Sequence, residues 1–133
     1  MNYLTDTNIL SELARPRPNV GVVNWAAGYH RLKLSAITVD ELSFGLSWRP
    51  NPAVEQWLRS FLDEMCDILP VTDEIARLSG QLRGQMQASG NTRTQADMLI
   101  AATAAVNGLT LVTRNEKDFT GCGIAILNPF RDV

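Results

Sequence analysis

Histidine is almost absent from this sequence of 133 residues, which contains only His30. A ribonuclease that uses two histidines as general acid and base is therefore excluded. A Ser-His-Asp triad would have to use His30, which follows Tyr29 at the end of a predicted helix and is expected at the surface. A zinc site would need His30, Cys66 and Cys122 to converge, and their spacing matches no zinc-ligand pattern.

Cysteine is also scarce, and long apolar runs are missing. Cys66 and Cys122 are far apart and form no ligand-like pair, so we expect two buried thiols instead of a disulfide. No apolar run approaches a membrane span, and the N-terminus shows no basic region followed by an apolar core. We therefore expect a cytoplasmic protein that does not associate with a membrane.

Positive charge is not in excess, because the chain has 12 Lys and Arg residues and 14 Asp and Glu residues, which gives a net charge of −2. A protein that coats nucleic acid would carry a strongly basic footprint. An acidic balance still permits a nuclease, since carboxylates that bind a metal lower the net charge. The hydrophobic content of 45% can fill a core, and we expect a single domain over residues 1–133.

Predicted strands alternate with predicted helices along the chain. The strands are expected at residues 2–5, 33–38, 67–71, 109–113 and 124–128. The helices are expected at residues 8–14, 19–30, 38–48, 51–66, 73–89 and 94–108. This alternation predicts an α/β fold with a parallel sheet covered by helices on both faces. In such a sheet the functional crevice lies at the carboxyl ends of the strands.

Acidic residues occur just after several predicted strands. Asp6 directly follows the first strand, and Glu41 lies three residues beyond the second. Asp97 begins an Ala-rich helix, while Asn115 and Asp118 follow the strand 109–113. The predicted architecture would bring these side chains to one edge of the sheet.

Helix capping is the simpler interpretation of each acid taken alone. Three segments match the pattern of a capping box: Thr38-x-x-Glu41, Thr94-x-x-Asp97 and Thr113-x-x-Glu116. Capping does not explain why Asp97 leads into "MLIAATAAV", a stretch apolar enough to be buried. In the first helix we expect Thr7 or Asn8 to provide the cap, which leaves Asp6 free to point into the crevice.

Converging carboxylates repel one another unless a cation lies between them. Ligands that are all oxygen atoms suit a hard divalent ion, Mg²⁺ or Mn²⁺. Such an ion activates water near neutral pH and bridges to phosphate oxygens. With one histidine available, metal-assisted hydrolysis of a phosphodiester is the reaction class that the sequence favours.

Four segments of the chain together match one family. "LTDTNILSEL", "SAITVDELSFGL", "ADMLIAATA" and "LVTRNEKDF" resemble, in order and spacing, the motifs of PIN-domain toxins of the VapC and FitB group of type II toxin–antitoxin modules. The resemblance runs from Asn2 to Phe130. It implies a three-layer α/β/α PIN-like fold around a mainly parallel sheet of four to five strands. It also implies an endoribonuclease that depends on Mg²⁺ or Mn²⁺.

The resemblance implies a role for each matching side chain. Asp6, Glu41 and Asp97 correspond to the core metal-binding acids. The fourth metal-binding position falls on Asn115 or Asp118, and we expect Asp118 to contribute charge and Asn115 a neutral oxygen. Residues expected to orient the acids are Thr7, Asn8 and Thr113. Asp40, beside Glu41, points about 100° away on a helix and is expected to be exposed.

RNA must also be held near these acids. The basic residues expected near the crevice are Arg83, Arg93, Arg114 and Lys117, with Arg15 and Arg17 in the segment "ARPRPN". Each of them could equally belong to an ordinary solvated surface.

The family resemblance also implies protein partners. The resemblance implies a homodimer and a VapB- or FitA-like antitoxin whose C-terminal segment lies in a groove beside the active site, in a larger heteromeric complex. Large apolar residues of the helices 19–30 and 51–66 are candidates for exposed interface positions: Val22, Val23, Trp25, Val54, Trp57, Leu58 and Phe61.

Other functions compete with this one. A receiver-like phosphoacceptor needs adjacent acids after its first strand, and a haloacid-dehalogenase phosphatase needs Asp-x-Asp, whereas this chain has Asp6-Thr7-Asn8. A catalytically weak PIN-fold module that acts by binding RNA or protein is the remaining alternative.

Overall fold

The computed structural model describes residues 2–131, which form an α/β fold. Its strands are β1 (Tyr3–Thr5), β2 (Leu32–Ser35), β3 (Cys66–Leu69), β4 (Thr110–Val112) and β5 (Ile126–Leu127). Its helices are α1 (Thr7–Leu13), α2 (Val20–Ala26), α3 (Ala36–Trp48), α4 (Pro52–Met65), α5 (Asp73–Ala88) and α6 (Gln95–Val106), with a short 3₁₀ helix at Glu116–Asp118. The five strands form one parallel sheet in the order β3-β2-β1-β4-β5. The predicted fold class is confirmed.

Several helix ends follow directly from local sequence. The Asn19 side chain accepts the Val22 N–H at 3.2 Å and caps α2. Pro52 occupies the first turn of α4, where its missing N–H costs nothing. Gly90 and Gly108 follow α5 and α6 with positive φ angles of 87° and 64°, a conformation that glycine adopts without strain.

The start of α3 corrects the sequence prediction. Ile37 and Thr38 are β-branched and suggested a strand over 33–38, but the strand ends at Ser35 and the helix starts at Ala36. The Ser35 hydroxyl accepts the Ile37 N–H at 3.0 Å and caps the helix. Thr38 is therefore a buried residue inside α3, and the proposed capping box from Thr38 to Glu41 is wrong.

The segment after β4 also differs from prediction. It forms the 3₁₀ helix Glu116–Asp118, and its N-cap residue, Asn115, makes no side-chain cap. The capping box from Thr113 to Glu116 is therefore wrong, because the Thr113 hydroxyl accepts the N–H of Asn115 instead. The predictions for minor residues hold: His30 is exposed, and Cys66 and Cys122 are buried free thiols.

Apolar side chains fill both faces of the sheet. One cluster joins Leu4 and Leu111 of the central strands to residues of α5 and α6 such as Leu82 and Met98. The other joins β2 and Val112 to residues of α1, α2, α3 and α4. Because successive strand residues point to opposite faces, Leu111 and Val112 contribute to different clusters. Burial of each large side chain contributes about 1.5–3 kcal/mol.

The strand order creates a crevice beside β1. The chain passes from β1 to β2 on one side, then crosses to β4 on the other. At such a reversal the connections leave the carboxyl ends of two neighbouring strands in opposite directions, which opens a space there. Thr5 and Val112 are paired in register, so Asp6 and Thr113 emerge together at this point. Within residues 2–131 no helix has the length and apolar character needed to cross a membrane.

Candidate active site

A cleft of about 420 Å³ opens at the carboxyl ends of β1 and β4. Its acidic lining residues are Asp6, Glu12, Glu41 and Asp97. Its remaining lining residues are Thr7, Asn8, Ser11, Arg15, Arg114 and Asn115. The fold thus brings together the three acids that the sequence placed on separate elements.

Asp6 lies at the bottom of the cleft and is only 4% exposed. Its Oδ1 accepts the Thr7 N–H at 2.8 Å, which makes Asp6 itself the N-cap of α1. Its Oδ2 accepts hydrogen bonds from the Thr113 hydroxyl at 2.8 Å and from Asn8 Nδ2 at 3.0 Å. The prediction that Thr7 or Asn8 caps this helix is wrong, because Asp6 is the one residue between strand and helix.

The carboxyl group of Asp6 is held in an environment that disfavours its charge. Its pKa is raised from 3.8 to about 6, chiefly by burial and to a smaller extent by the neighbouring charges of Asp97 and Glu41. The hydrogen bonds from Thr113 and from the Thr7 N–H act in the opposite direction. A cation in the cleft would stabilise the charged form of Asp6 against burial and against repulsion by the neighbouring carboxylates.

Thr113 organises this part of the cleft. Its buried hydroxyl donates to Asp6, accepts from Asn8 Nδ2 at 3.1 Å and accepts the Asn115 N–H at 3.0 Å. One donor and two acceptor positions are therefore all used. Asn8 extends the network, because its Oδ1 accepts the Arg114 N–H at 3.0 Å. Asn8 and Thr113, expected from the resemblance to orient the acids, thus both bond the Asp6 carboxylate.

Glu41 reaches the cleft from α3. Its Oε1 accepts the Thr7 hydroxyl at 2.6 Å, and the Thr38 hydroxyl lies 3.1 Å from that of Thr7. The Thr7 hydroxyl therefore holds the Glu41 carboxylate, whereas the Thr7 backbone N–H bonds Asp6. Asp40, the preceding residue, is exposed as predicted.

Asp97 lies on the first turn of α6 and is half-buried. The Thr94 hydroxyl accepts its backbone N–H at 3.1 Å, so Thr94 is the cap and the Asp97 carboxylate faces the cleft. Burial raises the pKa of Asp97, as do the charges of Asp118 and Glu41, while the hydrogen bond with Thr94 and the charge of Arg93 lower it.

The candidates for the fourth position occupy different places. Asn115 lines the cleft. Asp118 is not among the lining residues, but its charge is close enough to raise the pKa of Asp97. The roles expected for Asp118 as a source of charge and for Asn115 as a neutral oxygen ligand stay predictions.

The donor chemistry of the cleft fits a hard divalent cation. Asp6, Glu41 and Asp97 offer only oxygen atoms as ligands. The three carboxylates are close enough that the charges of Glu41 and Asp97 raise the pKa of Asp6. Over residues 2–131, no three Asp, Glu, His or Cys side chains form a group that could hold a metal ion directly among them. Mg²⁺ does not require such a group, because it usually keeps several waters and binds one or two carboxylates together with substrate phosphates.

The predicted basic residues are distributed unevenly. Arg114 lines the cleft, and its guanidinium lies 4.7 Å from the centre of the Phe130 ring. Arg93 donates to the carbonyl oxygens of Lys117 and Thr120 at 2.8 and 3.0 Å, so it connects two loops. Arg83 and Lys117 are exposed and lie outside the cleft lining.

Two lining residues, Ser11 and Glu12, were not identified from the sequence. They lie on α1 four residues after Thr7 and Asn8, respectively, and therefore on the same side of the helix. This spacing was visible in "TNILSEL" and would have found them. Arg15, four residues beyond Ser11, also lines the cleft, whereas Arg17 does not.

Comparison with known proteins shows the same architecture elsewhere. The PIN domain family matches residues 3–121. Toxin FitB of Neisseria gonorrhoeae is 35% identical over 97% of this chain and 99% of its own, and VapC ribonuclease Y4jK of Sinorhizobium fredii is 35% identical over 94% and 95%. A toxin–antitoxin complex from Klebsiella pneumoniae contains a chain with a TM-score of 0.75 and 30% identity, covering 96% of this chain and 97% of that one. The chain belongs to the PIN-domain family, within the group of FitB and VapC.

Proposed function

We propose that this protein is the toxin of a type II toxin–antitoxin module and that it cleaves RNA phosphodiester bonds with Mg²⁺ or Mn²⁺. The observation that carries the proposal is the meeting of Asp6, Glu41 and Asp97 in one cleft at the switch point of the sheet. The ribonuclease name of the Sinorhizobium relative supports the choice of RNA.

The acids would hold the metal and the surrounding side chains would hold the acids. Asp6, Glu41 and Asp97 would bind the ion directly or through its waters, with Asn115 beside them and Asp118 adding negative charge. Thr113 and Asn8 fix the orientation of Asp6 by hydrogen bonds, and Thr7 does so for Glu41. Fixed ligands raise metal affinity because the protein pays little entropy when the ion binds.

Hydrolysis needs an activated water and stabilisation of charge on the phosphate. A bound Mg²⁺ or Mn²⁺ supplies both, which explains how the chain could act without a histidine in the site. The residues of the cleft would position the ion and the RNA phosphate. Arg114 lines the cleft and offers a guanidinium for a phosphate oxygen.

The test compares wild type with Asp6→Ala and Asp97→Asn. Wild type expressed alone should stop growth, and neither variant should. The purified protein should cut RNA with Mg²⁺ and stop when EDTA is added. Asp40→Asn is the matched control, because it removes one carboxylate from an exposed position next to Glu41.

Two results would contradict the proposal. Toxicity that survives both substitutions would show that the acids do not carry the activity. A folded wild type that binds no divalent ion would favour the catalytically weak binding module. Calorimetric titration with Mn²⁺ and unfolding curves of each variant separate loss of metal binding from loss of fold.

An antitoxin would have a suitable groove beside the cleft. This groove of about 370 Å³ shares Thr7, Ser11, Arg15 and Glu41 with the cleft. Its apolar lining residues are Ala14, Pro16, Leu42, Leu46, Val54 and Leu58. A segment of the antitoxin seated there would adjoin a metal-binding acid. Co-expression of the cognate antitoxin should restore growth, and Leu46→Glu should remain toxic but escape this rescue.

A homodimer is proposed from the exposed apolar surface. Of the candidates, Val22, Trp25 and Leu58 are buried, whereas Val23 and Trp57 remain partly exposed. The most exposed aromatic side chains are instead on α3: Phe44 and Trp48 are each 67% exposed. Light scattering of the purified protein should give twice the monomer mass, and Trp48→Glu tests whether α3 forms the contact.

A further inference from the structure

The cleft carries more negative than positive charge. Four carboxylates line it, and the guanidinium groups among its lining residues are those of Arg15 and Arg114. An RNA strand brings one further negative charge with each nucleotide. Its backbone therefore needs cationic contacts at the cleft as well as a metal ion.

Glu12 is a buried carboxylate that has no place in the proposed chemistry. It is 7% exposed, and its two oxygens have different partners. Its Oε1 lies 3.3 Å from Arg15 Nη1, and its Oε2 accepts the backbone N–H of Asn19 at 2.8 Å. Glu12 thus connects α1 to both ends of the segment that leads to α2.

That segment is stiff and brings one of its two arginines to the cleft. Pro16 and Pro18 restrict the backbone between Arg15 and Asn19. Arg15 lines the cleft, while Arg17, two residues later, is exposed and lies outside the lining. The side chain of Arg15 is 66% exposed, so a ligand can reach it.

The ion pair leaves Arg15 able to bind an anion. Its contact with Glu12 involves Nη1, whereas a guanidinium has five N–H donors. The planar group can therefore keep Glu12 on one edge and present another edge to a phosphate. Arg114 offers a second guanidinium from the segment after β4, supported on the Phe130 ring.

We infer that Arg15 binds an RNA phosphate adjacent to the scissile one and that Glu12 is the positioning residue that holds Arg15 at the cleft. This inference rests on the proposed RNA substrate. It distinguishes two neighbouring arginines that the sequence could not separate.

The first experiment measures binding of a fluorescein-labelled, unstructured RNA oligonucleotide in EDTA at several salt concentrations. Arg15→Gln should make the slope of log affinity against log salt less steep by about 0.7, the value for one phosphate contact on a single strand. Arg17→Gln, the matched control, should leave the slope unchanged. With Mg²⁺, Arg15→Gln should raise KM roughly fivefold and change kcat little.

The second experiment tests Glu12 through coupling. If Glu12 positions Arg15, the change from Arg15 to Gln should reduce the salt slope less in a Glu12→Gln background than in wild type. A purely structural role for Glu12 would lower the unfolding temperature without this coupling. Equal effects in the two backgrounds would therefore overturn the assignment of Glu12.

Identical slopes for Arg15→Gln, Arg17→Gln and wild type would overturn the assignment of Arg15 while leaving RNA cleavage intact. A wild type that neither binds nor cuts RNA would overturn the proposed function, and this inference with it. The KM measurement with Mg²⁺ separates these two failures, because it needs an active enzyme.

Discussion

The floor and the walls of the cleft are built differently. The floor consists of Asp6 and Thr113, at the ends of the two central strands, and Asn8, on the first turn of α1; their polar atoms bond one another. The walls carry Glu41 on α3 and Asp97 on α6, both half-buried. Floor side chains are thus fixed by the sheet and a closed hydrogen-bond network, while wall side chains depend on how two helices pack.

The carboxyl groups of Asp6 and Asp97 therefore differ in their exposure to water. The Asp6 carboxyl is shielded from water, so its charge is suppressed and its pKa rises to about 6. The pKa of Asp97 is also raised, but its carboxylate remains in contact with solvent. A buried acid with a raised pKa gains the most from a cation, and so Asp6 is where metal binding and fold stability should be most strongly linked.

The largest expected effect is that of Asp6→Asn. RNA cleavage should fall by roughly 10²-fold or more, because the amide provides no charge for the ion. Without metal at pH 7 the variant should be more stable than wild type by up to about 3 kcal/mol, since the amide has no charge to bury. Cleavage kinetics and urea unfolding in EDTA measure both. Asp97→Asn should lose cleavage with a smaller gain in stability, and equal gains would remove the distinction between floor and wall.

A second effect of similar size concerns pH. The folded pKa of Asp6, about 6, exceeds the ordinary value of 3.8, so between these values the folded state binds more protons than the unfolded state. Its contribution to stability is therefore complete below about pH 4 and is lost as pH rises through 6, by up to about 3 kcal/mol.

Urea unfolding of wild type and Asp6→Asn in EDTA measures this contribution as the difference between their free energies of unfolding. The difference should vary between pH 4 and 7 and be constant above that. Added Mg²⁺ should reduce the loss at neutral pH, because the ion binds the charged carboxylate. A difference that is independent of pH would contradict the burial of the Asp6 charge.

Thr113→Val should have an intermediate effect. Valine keeps the shape of the side chain but removes the hydroxyl that bonds Asp6, Asn8 and the Asn115 N–H. The loss should reduce cleavage about 10–100-fold and stability by about 1–3 kcal/mol. Thr113→Ser, which retains the hydroxyl, should recover most of both. If valine and serine behaved alike, the network would not be what orients the floor.

The smallest effect is expected at Asp40. Asp40→Asn should change stability by less than about 0.5 kcal/mol and leave cleavage near the wild-type rate, because this side chain is exposed. Glu41→Gln, one residue away, should reduce both metal affinity and cleavage. RNA cleavage and Mn²⁺ titration of the two variants test whether a carboxylate on α3 must face the cleft to contribute. Equal effects of Asp40→Asn and Glu41→Gln would contradict this.

Much of the fold was readable from residue patterns, and the misses have local causes. The apolar stretch after Asp97 and the stop at Gly108 gave α6 nearly as observed. The β-branched Ile37 and Thr38 concealed the start of α3, where a hydroxyl of Ser35 overrode propensity. Glu12 was missed, although it lies four residues after Asn8 and therefore on the same side of α1.

The sequence by itself determined the order of strands and helices and the identity of the acids at the strand ends, because these depend on local periodicity and residue type. Only the tertiary structure decided that Asp6 both caps α1 and faces the cleft, and that Thr7 holds Glu41. It also decided that Arg15, and not Arg17, reaches the site. Such contacts join residues far apart in the chain or depend on the path of a loop, and only the packed sheet sets those distances.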